Sequence, residues 1–370
     1  MNASMLKTQN VLLAGELRSP SPSSSSRSRN NHQRGKRQKK QPLKSQSISA
    51  TSSDQQAKKI VLITGGNTGL GFESMKGIAR HNNGDDYKVI IACRSVERGR
   101  QAVRKIGDLA AADVDVMELD LASFRSVREF AREFLRKYER LDVLMNNAGI
   151  MALPERKETE DKNELQMQTN HLGHFLLTKL LLERVFDTEK VCEEEGSAMP
   201  RVVNVSSVAH NFCVDMQNIN STGFLFGYPA WGWVTYGRTK MANVLYTYEL
   251  QQRLRKAGSK VKVYAVHPGV VDTELQRNLP IDWYVNLREA GKLITPPEGA
   301  RGQIYLAISK ELENDEGGKY MSELSDENKP GKHEFRKSND FSLDSENWAR
   351  LWKESERIIG ISYDDVLLKK

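Results

Sequence analysis

From Lys59 onward the chain alternates short runs rich in β-branched and other apolar residues with longer stretches whose apolar positions recur every three or four residues. The short runs read as strands and the longer stretches as amphipathic helices. Strands are expected at Ile60–Thr64, Lys88–Ala92, Val114–Glu118, Leu141–Asn146, Arg201–Ser206, Val261–His267 and a short Lys319–Ser322. Helices are expected near 70–80, 95–107, 124–138, 164–187, 235–257 and 297–309. Strand and helix taking turns in this way is the pattern of a parallel sheet with helices on both faces. The expectation is a single doubly wound α/β domain over residues 59–370, with seven parallel strands. Right-handed crossovers then bring the carboxyl ends of the strands to one edge, where open sheets of this kind bind their ligands. The residues that follow each strand are therefore the ones to read for chemistry.

Residues 1–58 break the pattern. They contain the run Ser21 to Arg29, the basic cluster Lys36 to Lys40 and almost nothing apolar. Such a segment buries too little surface to offset the entropy of ordering, so a disordered tail is expected. The tail holds eleven Lys and Arg against two acids, Glu16 and Asp54, a net +9, which leaves −2 for the rest of a chain whose total is +7. The folded part is nearly neutral and gives no ground for a nucleic-acid partner. A tail rich in Arg and Ser and poor in acids has the composition of an organelle transit peptide, with a plastid expected before a mitochondrion. A solvated tail on a cytoplasmic protein is the plain alternative, and Lys36-Arg37-Gln38-Lys39-Lys40 also fits a nuclear signal.

Two further classes recede. No run approaches the roughly 18 consecutive apolar residues of a spanning helix, so no transmembrane segment is expected, with peripheral membrane contact left open. Cys93, Cys192 and Cys213 are odd in number and far apart. They lack the spacing of a zinc site or disulfide framework, so a reducing compartment and no metal are expected.

Directly after the first strand comes Thr64-Gly65-Gly66-Asn67-Thr68-Gly69-Leu70-Gly71, opening a helix at about Leu70. Gly65 permits a sharp turn, Gly69 lets backbone approach a pyrophosphate, and Gly71 lets helix and strand pack closely, while the helix N-terminus favours an anion. This is a dinucleotide-binding loop of a Rossmann-type domain, although a glycine-rich turn without ligand has the same letters. The second strand ends in Cys93-Arg94-Ser95. Arg94 stands where an NAD site carries an acid for the ribose 2′-hydroxyl. A guanidinium there matches the oxygens of a 2′-phosphate, which points to NADPH/NADP+; a surface arginine beside Arg98 and Arg100 is the plain reading. Asp120, after the third strand, is placed to meet the adenine or to cap a helix. Asn147, Ala148 and Gly149, after the fourth, let backbone approach the cofactor or form a turn.

The segments TGGNTGLG, ACRS, LDLAS, NNAG, NHLGHFLLT, VVNVSS, YGRTK and HPGVVDT occur in the order found in the short-chain dehydrogenase/reductase family. The chain resembles its retinol-dehydrogenase-like branch, whose relatives include protochlorophyllide reductases and a plastid import-associated member. The resemblance extends from about Lys59 to the C-terminus, including GGKYMS at Gly317–Ser322 and ARLWKESERIIG at Ala349–Gly360. It implies Tyr236 as general acid/base, Lys240 as its activator, Ser207 as the hydroxyl orienting the substrate and Asn170 as the holder of a water between Lys240 and solvent. Ser206 is the neighbouring candidate for the serine. The resemblance also implies that Pro268, Gly269 and Thr273, after the sixth strand, hold the nicotinamide carboxamide. Tyr236 and Lys240 stand four residues apart, so a helix puts them on one face. The lysine ammonium and the nicotinamide charge are expected to lower the phenol from about 10 toward neutrality. His171, His174 and His210 lack the spacing of a metal-binding helix and read as structural.

The segments at about 208–235 and 274–296 flank the expected site. The first carries Phe212, Phe224, Phe226, Tyr228, Trp231 and Trp233, and the second includes Trp283 and Tyr284. Aromatic walls beside a pocket suit a bulky apolar substrate, whereas aromatics packing on one another would merely fold the insertions. The expected activity is NADPH-dependent reduction of an aldehyde or ketone on a lipophilic substrate. A redox-sensing NADP(H)-binding protein and a protochlorophyllide-reductase-like enzyme are the alternatives; NNAG stands where the latter carry a cysteine-containing variant.

Overall fold

Eight strands form one sheet in the order β3-β2-β1-β4-β5-β6-β7-β8. The computed structural model describes residues 58–81, 87–107, 113–213, 215–216, 219, 230–278, 281–323 and 332–370, without the side chains of 230, 231 and 283. The tail 1–57 and the aromatics Phe224, Phe226 and Tyr228 lie outside the described residues, as do the side chains of Trp231 and Trp283.

Strands β1 (Lys59–Thr64), β2 (Tyr87–Cys93), β3 (Val114–Glu118), β4 (Val143–Asn146), β5 (Arg201–Val205), β6 (Lys262–His267) and β7 (Lys319–Glu323) are parallel. Alternation sends Ile60 and Leu62 of β1 to one face and Val61 and Ile63 to the other. Both sets are buried, because helices cover both faces. On one face lie α1 (Gly69–Ala79) and α7 (Pro296–Ile308), contributing Met75, Ile78, Leu306 and Ile308. On the other lie α3 (Phe124–Lys137), α4 (Gly173–Glu195), α5 (Ala230–Lys256) and α8 (Ser345–Ile359), contributing Phe130, Phe175, Leu245 and Trp352. Helix α2 (Val96–Arg104) follows β2, and α6 (Ile281–Glu289) follows β6.

The expected seven-stranded parallel sheet needs one correction. β8 (His333–Arg336) adds an eighth strand, antiparallel to β7, at the sheet edge. It is four residues long, with two half-buried and two exposed side chains and Phe335 alone apolar, so it carries no apolar run for a periodicity to register. The helix expected at 164–187 is also not continuous. A turn at Leu165–Met167 leads into a π-helical turn, Gln168–Leu172, before α4 runs on to Glu195. Helix α5 begins at Ala230, inside the segment expected as a substrate loop, and α6 occupies part of the second loop.

Sheet order reverses between β1 and β4, which diverge to β2 on one side and β5 on the other. A crevice opens beyond the strand ends at such a switch point.

Candidate active site

The crevice is a cavity of about 800 Å³ running from Arg94 and Asp120 at one end to Tyr236, Phe212 and Leu287 at the other. Its floor begins with the glycine loop. Gly65 and Gly69 adopt φ of 70° and 55°, a left-handed backbone that favours glycine. A Cβ on Gly71 would lie 2.4 Å from the Gly65 carbonyl and 2.5 Å from Asn147 Nδ2, so only glycine lets α1 approach the loop. The N-terminus of α1 has no side-chain cap on Thr68 and no acid in its first turn. Its free N–H groups and positive dipole end therefore face the cavity unmet, beside Asn67, Thr68 and Leu70. That is a fit for a pyrophosphate.

Arg94 and Arg98 line the far end and are exposed; Arg94 has no ion pair or hydrogen bond with a described residue. Ser95 caps α2 by accepting from Arg98 N at 3.3 Å. Asp120 lines the cavity, but its Oδ1 accepts from Ala122 N at 2.9 Å and Ser123 caps α3, so Asp120 braces its own turn.

The loop after β4 is held by buried polar groups. Asn147 Nδ2 donates to Thr64 O at 2.8 Å, and its Oδ1 accepts from Gln303 Nε2 of α7 at 3.2 Å. Asn147 N and Ala148 N both donate to Thr64 Oγ1 at 3.0 Å. Asn170 sits in the π-helical turn, a feature found often at functional sites. Its side chain accepts from Ile150 N at 2.9 Å and donates to Ile150 O at 2.9 Å and Thr239 Oγ1 at 3.0 Å. Gly149 passes between in a close fit: a Cβ there would lie 3.3 Å from Asn170 Oδ1 and 3.6 Å from Lys240 Nζ.

Tyr236 and Lys240 line the cavity from α5, and both are more than nine-tenths buried. Lys240 Nζ lies 5.6 Å from the Tyr236 ring centroid and donates to Val205 O at 2.9 Å. The phenol is hydrogen-bonded to Ser207. Ser206 is otherwise engaged, donating to Lys240 O at 2.8 Å, so of the two serines it is Ser207 that faces the tyrosine. Ser207 also caps the short turn Val208–Phe212, and His210 Nδ1 lies 2.7 Å from its carbonyl.

The expected lowering of the phenol by Lys240 is not what the protein's own groups produce. Burial pushes Tyr236 up to about 12, with the Ser207 hydrogen bond acting against it. The same burial pulls Lys240 down to about 8. Desolvation disfavours both charged forms, and the ammonium is turned to Val205 O and not to the phenol oxygen. Spacing along a helix predicts a shared face but cannot report how dry that face is.

Pro268, Gly269 and Thr273 line the cavity after β6, with Gly269 at φ 94°. Apolar walls surround the tyrosine: Met151, Ala152, Ala209, Trp233 and Leu275 pack with it. Trp233 stands edge-on to Tyr236 at 6.2 Å between centroids, and Phe212 lines the mouth while remaining 75% exposed. Tyr284 turns elsewhere and donates to Asp272 Oδ1 at 2.7 Å. Asn278 reaches across to donate to Met151 O at 3.0 Å, joining the second substrate segment to the loop after β4. Neither Gln303 nor Asn278 was singled out by sequence, since single amides in apolar or loop segments carry no periodic signal. Cys93, Cys192 and Cys213 are free and buried. Among the described residues no helix is long and apolar enough to cross a membrane.

Comparison with known proteins accords with this geometry. The short chain dehydrogenase family matches residues 59–282. Retinol dehydrogenase 13 of Homo sapiens is 36% identical over 324 residues, covering 83% of this chain and 86% of that protein. Polyprenol dehydrogenase of Danio rerio is 38% identical over 309 residues, covering 82% and 87%. Among solved structures, an uncharacterised protein of Mycobacterium paratuberculosis superposes with a TM-score of 0.62 at 33% identity, covering 83% of this chain and 95% of that one. The chain belongs to the short-chain dehydrogenase family, in its retinol-dehydrogenase-like branch, and is an oxidoreductase acting on CH–OH or C=O groups.

Proposed function

We propose that this oxidoreductase uses NADPH to reduce the carbonyl group of a lipophilic aldehyde or ketone, with Tyr236 giving the proton. One observation carries the reading: a buried phenol beside Ser207 stands in an apolar chamber of a cavity also lined by Arg94, which has no ion pair or hydrogen bond with a described residue. The bound dinucleotide supplies a hydride. The rest is the work of this chain's residues. Ser207 donates to the substrate oxygen and orients it. Tyr236, held near 12, keeps its proton at neutral pH and delivers it to the oxygen as negative charge builds there. Lys240, at about 8, is still largely charged at pH 7 and offsets the phenolate that remains. Asn170 fixes the loop beside Lys240, and its backbone carbonyl has a lone pair for the water that resupplies protons. The reductive direction follows from NADPH as the cofactor.

Arg94 supports NADPH over NADH, because a planar, permanent cation without a partner among the described residues suits a 2′-phosphate. Pro268, Gly269 and Thr273 are assigned to the carboxamide. Met151, Leu153, Val208, Trp233 and Leu287 give the cavity an apolar wall, which suits a substrate that is apolar near its carbonyl. For the tail 1–58 we propose a plastid transit peptide. The test of the activity is NADPH oxidation with retinal, quinones, steroids and aliphatic aldehydes. Binding of NADPH without oxidation by any of them would favour a sensor.

A further inference from the structure

His174 lies in the first turn of α4, buried and away from the cavity walls, and the chemistry above makes no use of it. Its Nδ1 is 3.1 Å from the Asn170 carbonyl and its Nε2 is 2.8 Å from Thr64 Oγ1. A carbonyl only accepts, so Nδ1 carries the hydrogen and Nε2 is bare. The bare nitrogen must then accept the Thr64 hydroxyl hydrogen, for which Met145 O at 3.4 Å is the weaker acceptor in reach. With its hydrogen committed, Thr64 Oγ1 receives Asn147 N and Ala148 N at 3.0 Å each. The donors run in one sense, Ala148 to Thr64, Thr64 to His174 and His174 to Asn170, with Asn147 N shared between Thr64 Oγ1 and Met145 O at 3.0 Å each.

The chain closes a loop in space. Asn170 grips Ile150 with its side chain at 2.9 Å for both backbone groups. The segment Asn147–Ile150 is thus fixed at its start through Thr64 and His174, and at its end by Asn170 directly. Both routes meet at one residue of the π-helical turn, and Gly149 is suspended between them over Lys240. Burial and the charge of Lys240 keep the imidazole neutral, at about 4. A second ring hydrogen would point at a Thr64 oxygen and compete there with the backbone donors Asn147 N and Ala148 N.

We propose that His174, as its Nδ1–H tautomer, is a positioning residue that sets the cofactor-facing backbone of Asn147–Ile150 by ordering the Thr64 hydroxyl. This rests on the reading of the cavity as a nicotinamide dinucleotide site. Three measurements on the full chain test it. Wild-type NADPH dissociation is the reference, and wild type that binds no dinucleotide refutes the cofactor reading itself. Given binding, His174→Phe and Thr64→Val each raise the NADPH Kd about tenfold, and the double variant is no weaker than the weaker single, because both remove the same chain. Thr64→Ser, which keeps the hydroxyl, stays within about twofold of wild type. Nitrogen-15 spectra of labelled histidine show Nδ1 protonated and Nε2 bare from pH 8 to 5, a result that does not depend on whether any variant folds. The proposal is overturned by a folded His174→Phe with wild-type affinity, by single effects that add in the double variant, or by a His174 that carries its hydrogen on Nε2.

Discussion

Lys240→Met makes the protein more stable and inactive, and the size of the gain follows from burial. The ammonium loses its hydration without gaining a carboxylate, and its pKa falls from 10.5 to about 8. At about 1.4 kcal/mol for each pH unit, keeping it charged costs about 3 kcal/mol. The variant also loses the hydrogen bond to Val205 O, about 1 kcal/mol, although that carbonyl retains Asn243 Nδ2 at 3.0 Å. The net expectation is a gain of about 2 kcal/mol near pH 7. The folded pKa is depressed, so between about 8 and 10.5 the unfolded chain binds the extra proton and wild-type stability rises with pH. The advantage of the variant is therefore full below about pH 8 and gone by 10.5. Urea denaturation of both proteins at pH 7 and near pH 10.5 measures it directly. A variant less stable than wild type at pH 7, or an advantage that does not shrink with pH, refutes the reasoning.

Tyr236→Phe loses turnover by a factor of about 10² to 10⁴ while NADPH affinity stays within about twofold, as read by single-turnover kinetics and cofactor fluorescence. Arg94→Asp raises the NADPH KM at least about tenfold with little effect on NADH, since only the former loses a charge-assisted contact; an unchanged preference removes the 2′-phosphate contact. Gly71→Ala puts a methyl 2.4 Å from the Gly65 carbonyl and lowers both Tm and NADPH affinity, visible by thermal denaturation with and without cofactor. Residues 1–58 fused to a fluorescent reporter carry it into plastids, and a reporter left in the cytoplasm refutes the transit-peptide reading.

Much of this architecture was legible before any coordinates. The strands at Ile60–Thr64 and Lys88–Ala92 announce themselves because parallel strands covered on both faces are near-continuous apolar runs. Gly65, Gly69 and Gly71 were readable since each stands where a side chain is sterically impossible or strained. What stayed hidden depends on context and not on pattern. β8 has four residues, none of them fully buried and only Phe335 apolar. The π-helical turn at Gln168–Leu172 adds a residue without altering the apolar spacing of NHLGHF. The burial that raises Tyr236 depends on walls supplied by Met151, Ala209 and Leu275, which are distant in sequence. His174 read as structural, and it is buried and bonded as such; its link to Thr64, 110 residues earlier, exists only in the fold.

The central claim is that Tyr236 passes a proton to a carbonyl oxygen as NADPH is oxidised. The direct measurement is the rate of NADPH oxidation with a lipophilic aldehyde, wild type against Tyr236→Phe, at saturating cofactor. Turnover in the wild type that disappears with the phenol hydroxyl is the predicted result. Equal rates in the two proteins would contradict it.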